Sequence, residues 1–155
     1  MTEFPLHDSP YFDVREFVDE RTWRALGEMS ASLIEPRIVR VFDLLREAAG
    51  PIVVNNWHLK RPGPVFDSSG FRAVWDKTGG QLSQHRCGRA GDGKSKRYTP
   101  AQLYQIILDN KDRFLAFGLT RSEDLQYTPT WLHLDCAPLV GVWKEFAKPF
   151  LIVTP

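Results

Sequence analysis

The clearest apolar periodicity in the chain lies between about residues 35 and 49. Four apolar side chains there share one helix face, at the i, i+3, i+4 and i+7 spacing: Ile38, Val41, Phe42 and Leu45. Pro36 suits the first helical turn, and Gly50 followed by Pro51 suits the end of the helix. The pattern therefore predicts an amphipathic helix that buries one face.

A second helix is predicted to begin after Thr99. Thr99 and Gln102 have the spacing of a capping box, and Pro100 occupies the first helical position. The apolar side chains expected to face the core are Leu103, Ile106, Ile107 and Phe114. One or two short helical pieces are also expected between Val14 and Met29.

Several segments are predicted to be short strands: residues 52–57, 115–119, 130–135 and 150–153. Residues 58–80 are rich in glycine, proline and serine, and they are predicted to form a long surface loop of the kind that is often functional. Residues 1–13 are expected to be irregular. This order of elements predicts an α+β fold, a single domain over residues 1–155 with helices packed on a mainly antiparallel sheet.

Composition places the chain among soluble globular proteins. Of its 155 residues, 43% are hydrophobic and 25% are charged. Because 20 basic residues nearly balance 19 acidic ones, neither a nucleic-acid groove nor a polybasic membrane patch is predicted. No apolar run approaches the ~18 residues that span a bilayer, and the start of the chain lacks the apolar core of a signal peptide. We therefore expect synthesis in the cytoplasm without membrane insertion.

Two stretches, residues 83–93 and 130–135, hold the side chains best suited to bind a metal. Glycines between His85 and Asp92 allow tight turns, so a reversal of the chain can bring this imidazole and this carboxylate to one point. His133, on a distant strand, can supply a third ligand. Two nitrogens and one oxygen with an open fourth position form the ligand pattern of catalytic zinc rather than of structural zinc.

The spacing alone leaves a second interpretation open. A His-x6-Asp spacing arises often by chance, so His85 and His133 could be ordinary hydrogen-bonded histidines and Asp92 a turn residue. Two cysteines, Cys87 and Cys136, follow two of the proposed ligands. They belong to no C-x-x-C pair and indicate neither a cysteine zinc knuckle nor a redox motif.

The pattern Ser83-x-His85-x-x-Gly88-x-Ala90-x-Asp92 resembles the signature of the zinc D-alanyl-D-alanine peptidase family. That family includes bacterial carboxypeptidases and dipeptidases and phage endolysins that cut peptidoglycan cross-links, and it shares its metal-site fold with the hedgehog signalling domain. In the family, the histidine and the aspartate of this motif bind zinc, and a later histidine on a strand is the third ligand. The resemblance therefore implies one zinc ion and a hedgehog/DD-peptidase-like fold.

The stretch from Trp131 to Asp135 resembles the family's third-ligand strand, above all in small phage and prophage members. It implies that His133 completes the zinc site. The likeness extends from about residue 11 to residue 136.

Three further residues are candidates for binding substrate. Residues 69–72, Ser-Gly-Phe-Arg, resemble a Ser-Gly-Tyr-Arg segment whose arginine contacts substrate in the family, which implies the same role for Arg72. A guanidinium suits a peptide carbonyl or a terminal carboxylate, although Arg72 could also be a solvated loop residue. Ser83 and Gln84 are expected to hydrogen-bond substrate or to support His85, the alternative being turn chemistry.

The chain departs from the family at the residue that usually serves as general base. Many members have Glu or Asp three residues before the last ligand, where this chain has Thr130, which cannot accept the proton. Asp135 is predicted to share a strand face with His133 and is our candidate for the base. It could equally accept the second ring proton of a histidine ligand. Glu123 and Asp124 are outside candidates.

These features predict a zinc metallopeptidase that hydrolyses peptidoglycan peptides through an activated water, with carboxypeptidase or endopeptidase action. The rival hypothesis is a catalytically inactive binding or structural module, such as a virion component, that keeps the metal for stability. Thr130 is the residue that favours this rival. Because no signal peptide is expected, a phage or prophage protein released by host lysis or carried in a virion would fit.

Overall fold

The structure, a computed structural model, describes residues 2–138 and the backbone of residues 150–152. Its helices are α1 (Glu20–Leu26), α2 (Pro36–Ala49), α3 (Pro100–Asp109) and α4 (Lys111–Ala116). Its strands are β1 (Ala90–Gly93), β2 (Arg121–Glu123), β3 (Leu132–Asp135) and β4 (Phe150–Ile152). Short 3-10 turns occupy Val14–Glu16, Gly27–Leu33, Trp57–Leu59 and Gln84–Cys87. These elements confirm the predicted α+β class.

The strands form one antiparallel sheet in the order β1-β3-β2-β4. Asp92 of β1 lies opposite His133 of β3. Asp135 of β3 lies between Ala90 on one side and Arg121 on the other. The mainly antiparallel sheet is confirmed, and its register brings together residues that are distant in the sequence.

Helix α2 forms where the apolar periodicity predicts it. Its buried side chains include all four of the predicted face: Ile38, Val41, Phe42 and Leu45. The helix packs on β1, and the ring of Phe42 fills the space beside Gly91. A Cβ atom at Gly91 would lie 2.6 Å from Phe42 Cε2, so this close approach requires glycine. Helix α2 thereby supports the strand that carries Asp92.

The core is built around aromatic rings that meet edge to face. The ring centroids of Phe12, Phe17 and Phe42 lie between 5.3 and 6.1 Å apart, a favourable geometry for aromatic pairs. Leu132 and Leu134 belong to this core. Strand β3 thus places its leucines in the apolar core and turns the alternate residues toward the other face of the sheet.

The prediction of a strand over residues 52–57 is wrong. Val53 forms only an isolated bridge with Lys94. The next backbone groups bond elsewhere: Asn55 N–H donates to the Glu16 carbonyl at 2.9 Å, and Asn56 N–H donates to the Phe66 carbonyl at 2.9 Å. A strand needs one continuous partner, and this β-rich segment instead divides its hydrogen bonds among three segments.

The prediction of a strand over residues 115–119 is also wrong. Helix α4 runs to Ala116, and the Gly118 N–H donates to the Leu115 carbonyl at 2.9 Å. The apolar alternation in this segment therefore belongs to a helix and the turn that ends it. The expected second helix begins at Pro100 with the predicted capping box, but it divides at Asn110 into α3 and α4.

Other predicted boundaries agree in part. The helical pieces expected between Val14 and Met29 are present as α1 with a 3-10 turn on each side. Strand β3 begins at Leu132 instead of at Thr130. Strand β4 covers Phe150–Ile152, and residue 153 lies outside the described residues. Among the described residues, no helix is long and apolar enough to cross a bilayer.

The predicted long loop continues without a helix or strand from residue 60 to residue 83. Its backbone is tied to buried residues, because Ser69 N–H donates to Asn55 Oδ1 at 2.9 Å and Phe71 N–H donates to the Phe17 carbonyl at 2.7 Å. These bonds fix the position of Gly70 and Arg72 beside the sheet.

Candidate metal centre

His85, Asp92 and His133 meet in space as the sequence predicts. His85 Nε2 lies 3.2 Å from His133 Nδ1 and 3.3 Å from Asp92 Oδ1. His133 Nδ1 lies 2.9 Å from Asp92 Oδ1. The three residues are only 2%, 5% and 6% exposed for His85, His133 and Asp92 respectively. Among the described residues, this is the cluster of histidine and carboxylate side chains that could hold a metal ion.

The triangle of ligand atoms has the size that zinc requires. Zinc bonds of 2.0–2.1 Å in a tetrahedron place neighbouring ligand atoms about 3.3–3.4 Å apart. The observed separations of 2.9–3.3 Å are close to that value. Three lone-pair atoms at this distance repel one another unless a proton or a metal cation lies among them. The donor set therefore fits one zinc ion.

A tight turn brings His85 and Asp92 together. His85 lies in the 3-10 turn Gln84–Cys87, and the chain reverses at Gly88, whose φ is +66°. A Cβ atom at Gly88 would collide with the Leu33 carbonyl oxygen. The Gly88 carbonyl accepts the Glu35 N–H at 2.9 Å, which anchors the turn to the start of α2. Strand β1 then carries Asp92 back to His133.

His85, Asp92 and His133 form a triad, and each of its histidines is oriented by a second partner. His85 Nδ1 donates to the Gly70 carbonyl at 2.7 Å, so the Nε2 lone pair faces the triad. His133 Nε2 donates to Asp135 Oδ2 at 3.1 Å, so Nδ1 is the ring nitrogen that faces the triad. Metal-ligating histidines almost always donate their other ring N–H to a carbonyl or a carboxylate. Each imidazole therefore turns toward the triad the nitrogen that could bind a metal.

Arg72 orients the aspartate. Its Nη2 donates to Asp92 Oδ2 at 2.9 Å, and its Nε donates to the Ser68 carbonyl at 2.7 Å. Asp92 Oδ1 is left for the triad. Arg72 therefore has a supporting role in addition to the substrate contact that the sequence predicts.

The charges of the triad favour a cation among its atoms. Burial lowers the pKa of His85 below its ordinary value. Burial also disfavours the charged form of His133, but its hydrogen bonds with Asp135 and Asp92 outweigh burial and raise its pKa to about 9. The pKa of Asp92 is lowered, because the two imidazoles outweigh the effect of burial. A bound metal would replace the proton that the triad otherwise attracts.

The sequence left two roles open for Asp135, general base and support of a histidine ligand, and its contacts are those of the supporting role. It is fully buried, and Arg121 binds both of its oxygens, with Nε 2.9 Å from Oδ1 and Nη2 2.8 Å from Oδ2. Oδ1 also accepts the Ala137 N–H at 3.1 Å, and Oδ2 holds His133. This carboxylate is arranged to orient an imidazole, and the geometry disfavours it as the group that activates water.

The triad opens onto a cavity of about 420 Å³. Other residues on its wall include Arg72, Ser83, Gln84, Glu123 and Trp131. The predicted substrate residues therefore lie beside the triad. Asp124 accepts the Gln126 N–H at 3.1 Å in the turn that follows β2.

A second cavity of about 420 Å³ adjoins the first, because Arg72, Asp92 and Trp131 line both. Its walls are mainly apolar, and Lys94 and Thr130 also line it. Lys94 donates to Ser69 Oγ at 2.6 Å and to the Asp92 carbonyl at 3.0 Å, and burial lowers its pKa to about 8. The two cavities together form a cleft that extends to either side of Arg72.

Gln84 has an unusual position for a polar side chain. It is 3% exposed, its Oε1 has no hydrogen-bond partner within residues 2–138, and its Nε2 lies 3.4 Å from the Leu82 carbonyl. A buried amide oxygen without a partner is costly unless a ligand satisfies it. Gln84 also lines the cavity beside the triad, where the sequence predicts a contact with substrate.

Sequence reasoning missed two of the residues that hold the triad in place, Gly70 and Arg121. Gly70 acts through its backbone carbonyl, which no residue pattern can indicate. The alternation of Arg121 and Glu123 would have placed both on one face of a strand, but β2 was not predicted. Comparison with known proteins adds no further assignment: no family model, no curated protein and no solved structure matches the chain.

Proposed function

We propose that the chain is a zinc-dependent peptidase that hydrolyses peptidoglycan peptides. The observation that carries this proposal is the triangle of His85, Asp92 and His133, with each ligand oriented by another group and the triad open to a cavity. The resemblance of both ligand motifs to the zinc D-alanyl-D-alanine peptidases supplies the reaction and the substrate class. In keeping with that resemblance, we place the protein among phage or prophage peptidases that are released by lysis or carried in a virion.

His85, Asp92 and His133 would hold the zinc ion, which, when bound, polarises a carbonyl group and makes water acidic enough to act as a nucleophile near neutral pH. Arg72 would orient a substrate carbonyl or carboxylate, because its Nη1 makes no hydrogen bond among the described residues. Gln84 Oε1 would accept a substrate N–H, which would satisfy its missing hydrogen bond. Ser83 lines the same cavity and would contact substrate beside Gln84. The extension of the cleft would accept peptide on both sides of the scissile bond.

The rival function is a binding or virion structural module that uses zinc only for stability. It is favoured by Thr130, which lines the second cavity and offers no carboxylate at the position where the family has its base. Such a module would bind zinc as the peptidase does, and it would leave peptidoglycan intact.

The test is to incubate the zinc-loaded protein with purified peptidoglycan and to identify new amino termini by mass spectrometry. We expect hydrolysis that chelation abolishes and zinc restores. His133→Ala and His85→Ala are expected to lose both zinc and hydrolysis. A wild-type protein with stoichiometric zinc that cleaves no peptidoglycan of any stem-peptide type would refute the peptidase and support the structural module. Near-stoichiometric zinc in both variants would refute the metal centre itself.

A further inference from the structure

We propose that Glu123 is the general base and general acid of the reaction, an assignment that rests on the proposed peptidase function. The structure disfavours Asp135 for this work, and Thr130 cannot do it. The proposed reaction therefore requires another carboxylate, one that lies on the wall of the cavity onto which the triad opens and is free to exchange a proton.

The register of the sheet places Glu123 beside the triad. Arg121 pairs with Asp135 and Ser122 with Leu134, so the register continued by one residue sets Glu123 opposite His133. Directly opposed residues of an antiparallel pair present their side chains on the same face.

The neighbouring pair shows that this face is the one that carries the site. The side chains of Arg121 and Asp135 meet there at 2.8 Å. Glu123 follows Arg121 by two residues on β2 and therefore shares its face. Glu123 accordingly lines the cavity onto which the triad opens.

Glu123 is also the uncommitted acid of that cavity. The described residues contribute three carboxylates to its wall, and two of them, Asp92 and Asp135, are bound to arginines and histidines. The carboxylate of Glu123 makes no hydrogen bond or ion pair within residues 2–138, and its residue is half-buried. It is therefore free to exchange a proton while the other two hold the triad in place.

The proton balance of the hydrolysis needs one such group. The Glu123 carboxylate removes a proton from the attacking water as the water oxygen bonds to the scissile carbonyl carbon. Glu123 then returns that proton to the amide nitrogen as the C–N bond breaks. One water is consumed, and the products are a carboxylic acid and an amine. The general base thus lies on the neighbouring strand β2, and no carboxylate is needed at Thr130, which precedes β3.

The test compares steady-state kinetics and zinc content of Glu123→Gln with those of Asp124→Asn. Glutamine keeps the size of the side chain and cannot take up the proton. We expect Glu123→Gln to keep stoichiometric zinc and a KM within about threefold of wild type, and to lose about 10²–10⁴-fold in kcat, the usual contribution of a general base. Asp124→Asn, one residue further along, is expected to keep kcat within about twofold.

A second variant separates proton transfer from a structural effect. Glu123→Ala leaves space in the cavity wall, and added formate is expected to restore part of its kcat without changing its zinc content. Formate would leave a merely structural defect uncorrected. Glu123→Gln with kcat above half that of wild type, or Glu123→Ala that formate does not rescue, would overturn the assignment. An inactive zinc-loaded wild type would overturn the peptidase function and this assignment together, whereas an active wild type with an active Glu123→Gln overturns the assignment alone.

Discussion

His133 and Asp135 lie two residues apart on β3, and their side chains are hydrogen-bonded, with His133 Nε2 3.1 Å from Asp135 Oδ2. Alternate residues of a strand share a face, so the strand itself brings this pair together. Arg121 on β2 then fixes the carboxylate through two N–H groups. His133 is thus held by a chain of buried contacts that crosses two strands.

Asp135→Asn is expected to weaken zinc binding. The asparagine side chain can no longer balance the Arg121 charge or favour the Nε2–H tautomer of His133, and loss of such a partner lowers metal affinity by about 10–100-fold. Competition with a chromogenic zinc chelator measures the dissociation constant. Glu123→Gln serves as the control, because the Glu123 carboxylate makes no hydrogen bond or ion pair among the described residues. Equal zinc affinities for Asp135→Asn and wild type would contradict the supporting role.

Gln84→Leu is expected to separate stability from substrate binding. Leucine removes a buried amide whose Oε1 has no partner, so the free energy of unfolding should stay unchanged or rise by about 1 kcal/mol. The KM should rise by about tenfold, because about 1.4 kcal/mol is lost with one substrate hydrogen bond. Chemical denaturation and steady-state kinetics measure the two effects. Gln81→Leu, at an exposed position of the preceding loop, is the control. A KM unchanged in both variants would remove Gln84 from the substrate site.

Gly91→Ala is expected to destabilise the protein by about 1–3 kcal/mol, the usual effect of overpacking a core. The new Cβ would lie 2.6 Å from the Phe42 ring and push β1 away from α2. Because Asp92 is the next residue, zinc affinity should fall as well. Gly80→Ala is the matched control, since a Cβ atom there meets nothing within 4 Å. Thermal unfolding with and without zinc gives both quantities, and equal melting temperatures of the two variants would argue against this packing.

Glu16 is expected to make stability depend on pH. Burial raises its pKa to about 7 from an ordinary value of 4.5. Between these values the folded state binds more protons than the unfolded state, so stability falls as pH rises through this interval. Glu16→Gln keeps an acceptor for the Asp13 N–H and cannot ionise.

The two proteins should therefore diverge as the solution becomes less acidic. From pH 4 to pH 8 the stability of Glu16→Gln relative to wild type should increase by about 2–3 kcal/mol, at 1.36 kcal/mol per pKa unit. Urea denaturation of both proteins across this range provides the measurement. A difference that does not vary with pH would show that Glu16 ionises normally.

The sequence by itself determined the features that depend on neighbouring residues. Helix α2 follows from a periodic apolar face with proline at one end and glycine at the other, and the start of α3 follows from its capping box. The three residues of the candidate metal centre were also identified, from donor chemistry and from the resemblance of their motifs. Each of these inferences uses information contained in a short stretch of chain.

Only the tertiary structure decided the features that depend on distant partners. The β-rich residues 52–57 form no strand, because their backbone groups bond to three separate segments. The carbonyl of Gly70, the guanidinium of Arg121 and the carboxylate of Glu123 reach the site through a loop crossing and through the register of β2 on β3. Hydrogen bonds between strands and loops are set by which segments meet, and that depends on packing the whole chain.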